Sequence, residues 1–186
     1  MSKYEQVNWG FLGTGLIADW MANDLKTTIG QNIVAVGSRT IENANRFADK
    51  YNIKNRHGSY EALVADPEVD AIYIASPHPW HLDHVLLALN AGKHVLCEKP
   101  FAMNANEAKM MVDKAREKKL LLVEAMWTRF LPHIRQLRKV LAAKTIGDII
   151  FVAADHGQWF VEDPKFRLFA PELGGGALLD LGIYPI

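Results

Sequence analysis

Five short apolar runs, separated by longer segments with a helical pattern, constrain the fold of this chain more than any other feature. The runs cover residues 7–12, 33–37, 71–75, 94–97 and 120–124. Because several are apolar along their whole length, they are typical of strands that are covered on both faces. Strands that alternate with helices are joined by right-handed crossovers, so the sequence predicts a doubly wound parallel sheet of the α/β class.

The segments between these runs carry helical signals. One apolar stripe has the i, i+3, i+4, i+7 spacing of a helix face and consists of Ala44, Phe47, Ala48 and Tyr51. Asn104, with Glu107 three residues later, indicates the start of another helix. Residues 80–91 form a third predicted helix, and we expect Gly92 to end it in a left-handed conformation.

A glycine-rich turn, Gly13-Thr14-Gly15-Leu16-Ile17-Ala18, follows the first apolar run directly. Glycines let the backbone approach a pyrophosphate, and the amides at the start of the next helix bind it. An ordinary tight turn is the alternative, but the strand before it and the helix after it favour the nucleotide. The predicted cofactor contacts are Gly13, Thr14, Gly15, Leu16 and Ile17.

The second run ends at Ser38 and Arg39, at a place where dinucleotide-binding chains often carry an acid. An acid would bind a free ribose 2′-hydroxyl, whereas a hydroxyl and a guanidinium favour a 2′-phosphate. We therefore predict NADP(H) as the preferred cofactor, with NAD(H) as the alternative. A solvated surface role for Arg39 is the competing interpretation.

Polar clusters also follow the later runs, at Ser76-Pro77-His78, at Glu98-Lys99-Pro100 and at residues 125–129. Ligands of an open parallel sheet bind outside the carboxyl ends of its strands. Because all of these clusters follow strands, we expect them to lie along one edge and to line a common cleft.

Lys99 directly follows a buried run and precedes a proline that stiffens the backbone. A lysine held at a cleft edge can stabilise a developing alkoxide. Asp180 and Tyr184 are four residues apart and share a face if their helix is regular. Tyrosine is a weak base at neutral pH, but a nearby ammonium favours its phenolate form. Lys99 and Tyr184 are thus a candidate proton-handling pair, with Asp180 as an orienting group.

Composition argues against several classes of protein. Lys+Arg and Asp+Glu are both 21, so no net charge attracts nucleic acid or an anionic membrane. The sequence has no apolar run of about eighteen residues that would span a membrane. With Cys97 as the only cysteine and no apolar signal core, we predict a cytoplasmic protein. His81 and His84 have no acidic or cysteine partner at ligand spacing, so we predict no metal site.

The alternation fades after Glu124, and a different pattern begins. Residues 148–157 predict one longer strand after a turn at Gly147, and a short helix follows the glycines at 174–176. A lone strand and a short helix cannot bury their own faces. We therefore expect an incomplete second domain. If the molecule ends at Ile186, we expect little or no turnover and an exposed apolar surface.

Three motifs together resemble the Gfo/Idh/MocA family of NAD(P)-dependent oxidoreductases, and the resemblance covers essentially the whole chain. The motifs are Gly13-x-Gly15-x-x-Ala18, Glu98-Lys99-Pro100, and Gly174-Gly175-Gly176 with Asp180 and Tyr184. Within that family, residues 124–130 and Tyr184 are most similar to the branch of dimeric dihydrodiol dehydrogenases and NADP-dependent D-xylose dehydrogenases.

The resemblance implies a Rossmann NADP-binding domain at residues 1–125, a connecting helix region at 126–147 and the start of a C-terminal α+β domain at 148–186. It implies hydride transfer between NADP(H) and a sugar, polyol or diol substrate, in a homodimer or higher homo-oligomer. Family members continue well beyond Ile186, so the resemblance implies that residues 148–186 are only the start of a truncated second domain. Non-catalytic NAD(P)-binding sensors of the same family are the alternative.

The resemblance also implies roles for individual residues. Lys99 corresponds to the lysine of the Glu-Lys-Pro motif, Tyr184 to the acid/base and Asp180 to its partner. The implied cofactor contacts in the loops at the sheet edge are Ser76, Pro77, His81, Glu98 and Lys99. The residues implied to face the cofactor or the substrate are Trp127, Arg129 and His156.

Overall fold

The computed structural model describes residues 6–186, which divide into two units, one ending at Glu124 and one covering Ala125–Ile186. The strands of the first unit are β1 (Val7–Leu12), β2 (Gln31–Gly37), β3 (Asn55–His57), β4 (Ala71–Ile74), β5 (His94–Cys97) and β6 (Leu122–Glu124). They form one six-stranded sheet in the order β3-β2-β1-β4-β5-β6. Every pairing is parallel, which confirms the predicted doubly wound sheet.

The helices of the first unit cover both faces of this sheet. They are α1 (Leu16–Lys26), α2 (Ile41–Tyr51), α3 (Tyr60–Val64), α4 (His81–Asn90) and α5 (Ala105–Lys118). Successive strand residues point to opposite faces. In β1, Phe11 accordingly packs with α1 and α2, whereas Leu12 packs with residues of α3, α4 and α5. Each face of the sheet thus has a hydrophobic cluster of its own.

Local signals in the sequence account for several helix ends. The Asn104 side chain accepts a hydrogen bond from the Glu107 amide at 3.0 Å, and Glu107 accepts one from the Met103 amide at 3.1 Å. This reciprocal pair confirms the predicted start of α5. Gly92 follows α4 with a φ of +79°, as expected for a residue that ends a helix.

Strand boundaries differ from the prediction by at most two residues. β1 and β5 have the predicted bounds, β2 begins earlier, β4 ends earlier and β6 begins later. The edge strand β3 and the short helix α3 carried too little hydrophobic pattern to be predicted. β3 has the polar sequence Asn-Arg-His and pairs only with β2, so it needs no apolar face.

In the second unit, α6 (Pro132–Ala142) follows a 3₁₀ turn at Trp127–Phe130, and a π-helical turn covers Leu178–Gly182. Within Ala125–Ile186, all of which is described, no residue lies in a strand. The strand predicted at residues 148–157 is therefore wrong. A strand needs a neighbour for its N–H and C=O groups, and the described residues supply none here. The apolar side chains of this segment are exposed, with Ile150 at 97%.

Among residues 6–186, we find no helix both long enough and apolar enough to cross a membrane.

Candidate active site

The glycine turn after β1 has a backbone geometry that is compatible with a bound pyrophosphate. Gly13 has a φ of +104°, and a Cβ atom here would lie 3.2 Å from the carbonyl oxygen of Ala75, so glycine fits best. Gly15 caps α1, and within residues 6–186 no side chain caps this helix end. The Leu16 and Ile17 amides belong to the first turn, where no intrahelical acceptor is available. These residues fit a bound pyrophosphate.

Ser38 and Arg39 follow β2 along the same edge of the sheet. Ser38 is buried and its amide donates to the carbonyl oxygen of His57, whereas Arg39 is exposed. Burial raises the pKa of Tyr60, and the positive charge of nearby Arg39 opposes this rise. An exposed guanidinium at the end of β2 can reach an anion that enters from solvent.

His81 occupies a different position from the one expected of a nucleotide contact. Its ring is fully buried. Nε2 lies 2.8 Å from the backbone carbonyl oxygen of Ser76, and Nδ1 lies 2.9 Å from that of Pro100. Burial lowers the pKa of His81, although the two backbone oxygens favour its protonated form. The ring is therefore shielded from solvent and links the loops after β4 and β5. The nucleotide contact of His81 stays a prediction.

The loop after β4 is held by a second histidine. His84 Nδ1 lies 2.8 Å from the Ser76 hydroxyl, and its ring packs edge-on against Tyr60 at 4.7 Å. Burial lowers the pKa of His84 to about 4, so the ring is neutral at physiological pH. Of the two cofactor contacts predicted in this loop, Ser76 is buried and Pro77 is exposed.

Lys99 lies half-buried immediately after β5 and Glu98, with a cis peptide bond to Pro100. The Glu98 carboxylate accepts a hydrogen bond from the Tyr73 hydroxyl at 2.6 Å and one from the Lys99 amide at 3.2 Å. Burial raises the pKa of Glu98, while these hydrogen bonds and the Lys99 ammonium oppose the rise. The first unit therefore presents a lysine and a glycine turn at the carboxyl ends of one parallel sheet.

The second unit brings three of the predicted residues together. Trp127 donates its indole N–H to the Tyr184 hydroxyl at 3.2 Å, and the His156 ring lies 4.9 Å from the Tyr184 ring. Arg129 is exposed in the 3₁₀ turn that contains Trp127. Aromatic rings therefore surround the phenol that the sequence marked as a proton-transfer group.

Asp180 is only 4% exposed and accepts a hydrogen bond from Arg167 Nη1 at 2.9 Å. It lies in the π-helical turn, and the Tyr184 amide bonds three residues back, to Leu181. The regular α-helical spacing predicted for Asp180 and Tyr184 is therefore not formed. A shallow cavity of about 290 Å³ adjoins Asp180 and is lined mainly by Trp159, Phe160, Leu168, Phe169 and Leu181.

Sequence reasoning missed two residues that bond predicted ones, Tyr73 with Glu98 and Arg167 with Asp180, and also Glu124, which bonds the Phe101 amide. A tyrosine inside an apolar strand and an acid at the end of one were the available signals for Tyr73 and Glu124, since buried polar groups need partners. Within residues 6–186, no group of three or more His, Cys, Asp or Glu side chains converges as metal ligands would.

A sheet in the order 3-2-1-4-5-6, with a glycine turn between its first strand and helix, defines a dinucleotide-binding Rossmann protein. Residues 7–126 match the model described as "Oxidoreductase family, NAD-binding Rossmann fold", and residues 134–186 match the GFO/IDH/MocA C-terminal domain. The chain therefore belongs to the Gfo/Idh/MocA oxidoreductase family, as the sequence motifs indicated.

Curated relatives include trans-1,2-dihydrobenzene-1,2-diol dehydrogenases. The Sus scrofa protein is 44% identical over 96% of this chain, and the Homo sapiens protein is 43% identical over 96%. The chain spans about half the length of these relatives, 53% in both cases.

Similar solved structures include a 3-ketoreductase variant from Actinomadura kijaniata in complex with TDP-benzene and NADP. It is 30% identical, with a TM-score of 0.81, and the match covers 97% of this chain and 55% of that one. An NAD binding oxidoreductase from Klebsiella pneumoniae matches over 97% of this chain and 51% of its own, at 28% identity and a TM-score of 0.82.

Proposed function

We propose that this protein transfers a hydride between NADP(H) and a CH–OH or carbonyl group of a sugar-like or diol substrate. The observation that carries this proposal is the first unit, in which an uncapped glycine turn and Lys99 follow strands of one parallel sheet. The similarity to a diol dehydrogenase and to a ketoreductase solved with NADP supports the reaction class.

Gly13, Gly15 and the amides of Leu16 and Ile17 would hold the pyrophosphate, and Arg39 would bind the 2′-phosphate. When bound, NADP(H) supplies or accepts the hydride. The Lys99 ammonium stabilises the negative charge on the substrate oxygen. Tyr184 takes the hydroxyl proton during oxidation and returns it during reduction. Asp180 orients Tyr184, and Trp127 and His156 face the substrate in this proposal.

Lys99→Ala tests the chemistry in the full-length protein. We expect kcat to fall by about 10²- to 10³-fold, the usual cost of removing one group that stabilises a developing oxyanion, with the Kd for NADPH changed less than about threefold. Lys54→Ala is the matched control, because Lys54 forms an exposed ion pair with Glu68. Wild-type turnover in Lys99→Ala removes Lys99 from the mechanism. Tight NADPH binding without turnover of any carbonyl substrate favours the alternative, a non-catalytic NAD(P)-binding sensor of the same family.

Arg39→Ala tests the cofactor preference. A charged hydrogen bond to phosphate contributes about 1.5–3 kcal/mol, so NADPH binding is expected to weaken roughly ten- to a hundredfold while NADH binding is nearly unchanged. Arg46→Ala is the control, since Arg46 lies on α2 and bonds Asn43. Fluorescence titration with both cofactors gives the comparison. Equal losses for NADPH and NADH mean that Arg39 does not bind the 2′-phosphate.

The assembly proposed for the full-length protein is a homodimer or higher homo-oligomer. Light scattering after size-exclusion chromatography measures its mass directly, and a monomer at micromolar concentration contradicts this part of the proposal.

A further inference from the structure

The segment of residues 98–101, which carries Lys99, is held on one side by a buried tyrosine. Tyr73 belongs to β4, is almost fully buried, and its hydroxyl donates a hydrogen bond to Glu98 Oε1 at 2.6 Å. The other carboxylate oxygen of Glu98 accepts from the Lys99 amide at 3.2 Å. One carboxylate thus links the β4 tyrosine to the backbone of Lys99 itself.

The same segment is held on its other side by the neighbouring strand. The Phe101 amide donates to Glu124 Oε1 at 2.9 Å, and Glu124 is the last residue of β6. Between these two points, the buried His81 ring lies 2.9 Å from the Pro100 oxygen. The residues on either side of Lys99 are therefore tied to two strands and one helix.

Hydrogen bonds to a carboxylate are stronger than neutral ones, and a buried setting strengthens them further. Glu98 is half-buried, and Tyr73 belongs to the hydrophobic cluster that also contains Phe11 and Tyr51. Loss of the Tyr73 hydroxyl would leave a half-buried carboxylate oxygen without this donor. That oxygen would move toward another donor or toward water, and the Lys99 amide would move with it.

We propose that Tyr73 and Glu124 are positioning residues for Lys99, a role that rests on the oxidoreductase function proposed above. Tyr73 acts through the Glu98 carboxylate and Glu124 through the Phe101 amide. A misplacement of about 1 Å costs on the order of a hundredfold in rate, so these bonds matter for turnover more than for cofactor affinity. Substrate recognition is not required of either side chain.

Tyr73→Phe tests one side of this arrangement, with Tyr51→Phe as its matched control. Tyr51 lies in the same cluster and also donates to a carboxylate, Asp19 Oδ1, at 2.6 Å, on helices away from Lys99. We expect Tyr73→Phe to lower kcat by roughly ten- to a hundredfold and to leave the KM for NADPH within about threefold. The Tyr51→Phe control keeps kcat within about twofold, since it leaves the segment intact.

Glu124→Ala and Glu124→Gln test the other side. Glutamine keeps an oxygen that accepts from the Phe101 amide, so it restores kcat, whereas alanine lowers it roughly tenfold. Glu107→Ala is the control, because Glu107 makes the same kind of bond, to the Met103 amide, outside the segment. A merely structural role would make Glu107→Ala and Glu124→Ala equally harmful and would lower kcat in proportion to the loss of folding stability.

A second measurement does not depend on turnover. Acetylation by acetic anhydride, followed by peptide mass spectrometry, gives the reaction rate of Lys99 relative to exposed Lys54. We expect at least about a threefold change in this ratio in Tyr73→Phe and Glu124→Ala and none in the two controls. If the full-length wild type turns over no substrate, the proposed function fails and the labelling alone decides this proposal. Unchanged kcat in an active enzyme, or unchanged labelling in an inactive one, overturns it.

Discussion

The two units of the chain treat their apolar residues differently. In the first unit, Phe11 and Leu12 of β1 are fully buried in separate clusters on the two faces of the sheet. In the second unit, Ile150 and Phe151 belong to a run of similar composition and are exposed. The helix α6 of the second unit also has no buried residue, although its sequence is amphipathic.

The difference lies in backbone pairing. β1 pairs with β2 on one side and with β4 on the other, so its N–H and C=O groups and both of its faces are satisfied. For residues 148–157, the described part of the chain supplies no paired neighbour. An apolar, β-rich pattern therefore becomes a strand only where other elements complete it.

The largest expected difference between the two units is in the effect of truncating an apolar side chain. Leu89→Ala removes a fully buried side chain from the first unit and should lower the free energy of unfolding by about 2–5 kcal/mol. Ile150→Ala should change it by no more than about 0.5 kcal/mol, because that side chain is already in water. Urea denaturation of both variants measures these values. A similar loss in Ile150→Ala would show that the segment is buried in solution.

A somewhat smaller loss of stability is expected when the pH is lowered. The folded pKa of His84 is about 4, below the ordinary value of 6.5, so the unfolded chain takes up a proton first as the pH falls. The contribution of His84 to the free energy of unfolding is fully present above pH 6.5 and is lost as the pH falls toward 4. The loss is no more than about 3 kcal/mol, since the ring is partly exposed. His84→Gln, which can still bond Ser76, should remove much of this slope in urea titrations between pH 4 and 7. An unchanged slope assigns it to other groups.

The smallest effect compares two glycines. A Cβ atom on Gly37 in β2 would lie 2.8 Å from Leu63 Cβ, so Gly37→Ala should cost about 1–3 kcal/mol through overpacking. Among the described atoms, none lies within 4 Å of the Cβ position at Gly157, so Gly157→Ala should stay within about 0.5 kcal/mol. Thermal unfolding of the two variants sharpens the contrast between the units. Equal losses would contradict it.

Much of the first unit could be predicted because its signals are local. The apolar runs of β1 and β5, the stripe of Phe47 and Tyr51 on α2, and the cap at Asn104 each depend on residues close in sequence. β3 could not be predicted, since its three polar residues have only the pairing with β2 to define them.

The candidate site divides in the same way. The positions of Gly13 and Lys99 after β1 and β5 were predictable because a glycine turn and a polar cluster follow apolar runs. The buried position of His81 and the Arg167 partner of Asp180 were not, because both depend on which distant groups meet in space. The π-helical turn at Leu178–Gly182 likewise replaced the regular helix that the spacing of Asp180 and Tyr184 suggested.

The sequence by itself determined the parallel sheet, the glycine turn after β1 and the family of this chain, because hydrophobic period and glycine position act over a few residues. Only the tertiary structure decided that Tyr73 and Glu124 hold the segment around Lys99 and that residues 148–157 form no strand within the described chain. Both outcomes depend on partners far apart in sequence. A hydrogen bond or a strand exists only when those partners are brought together.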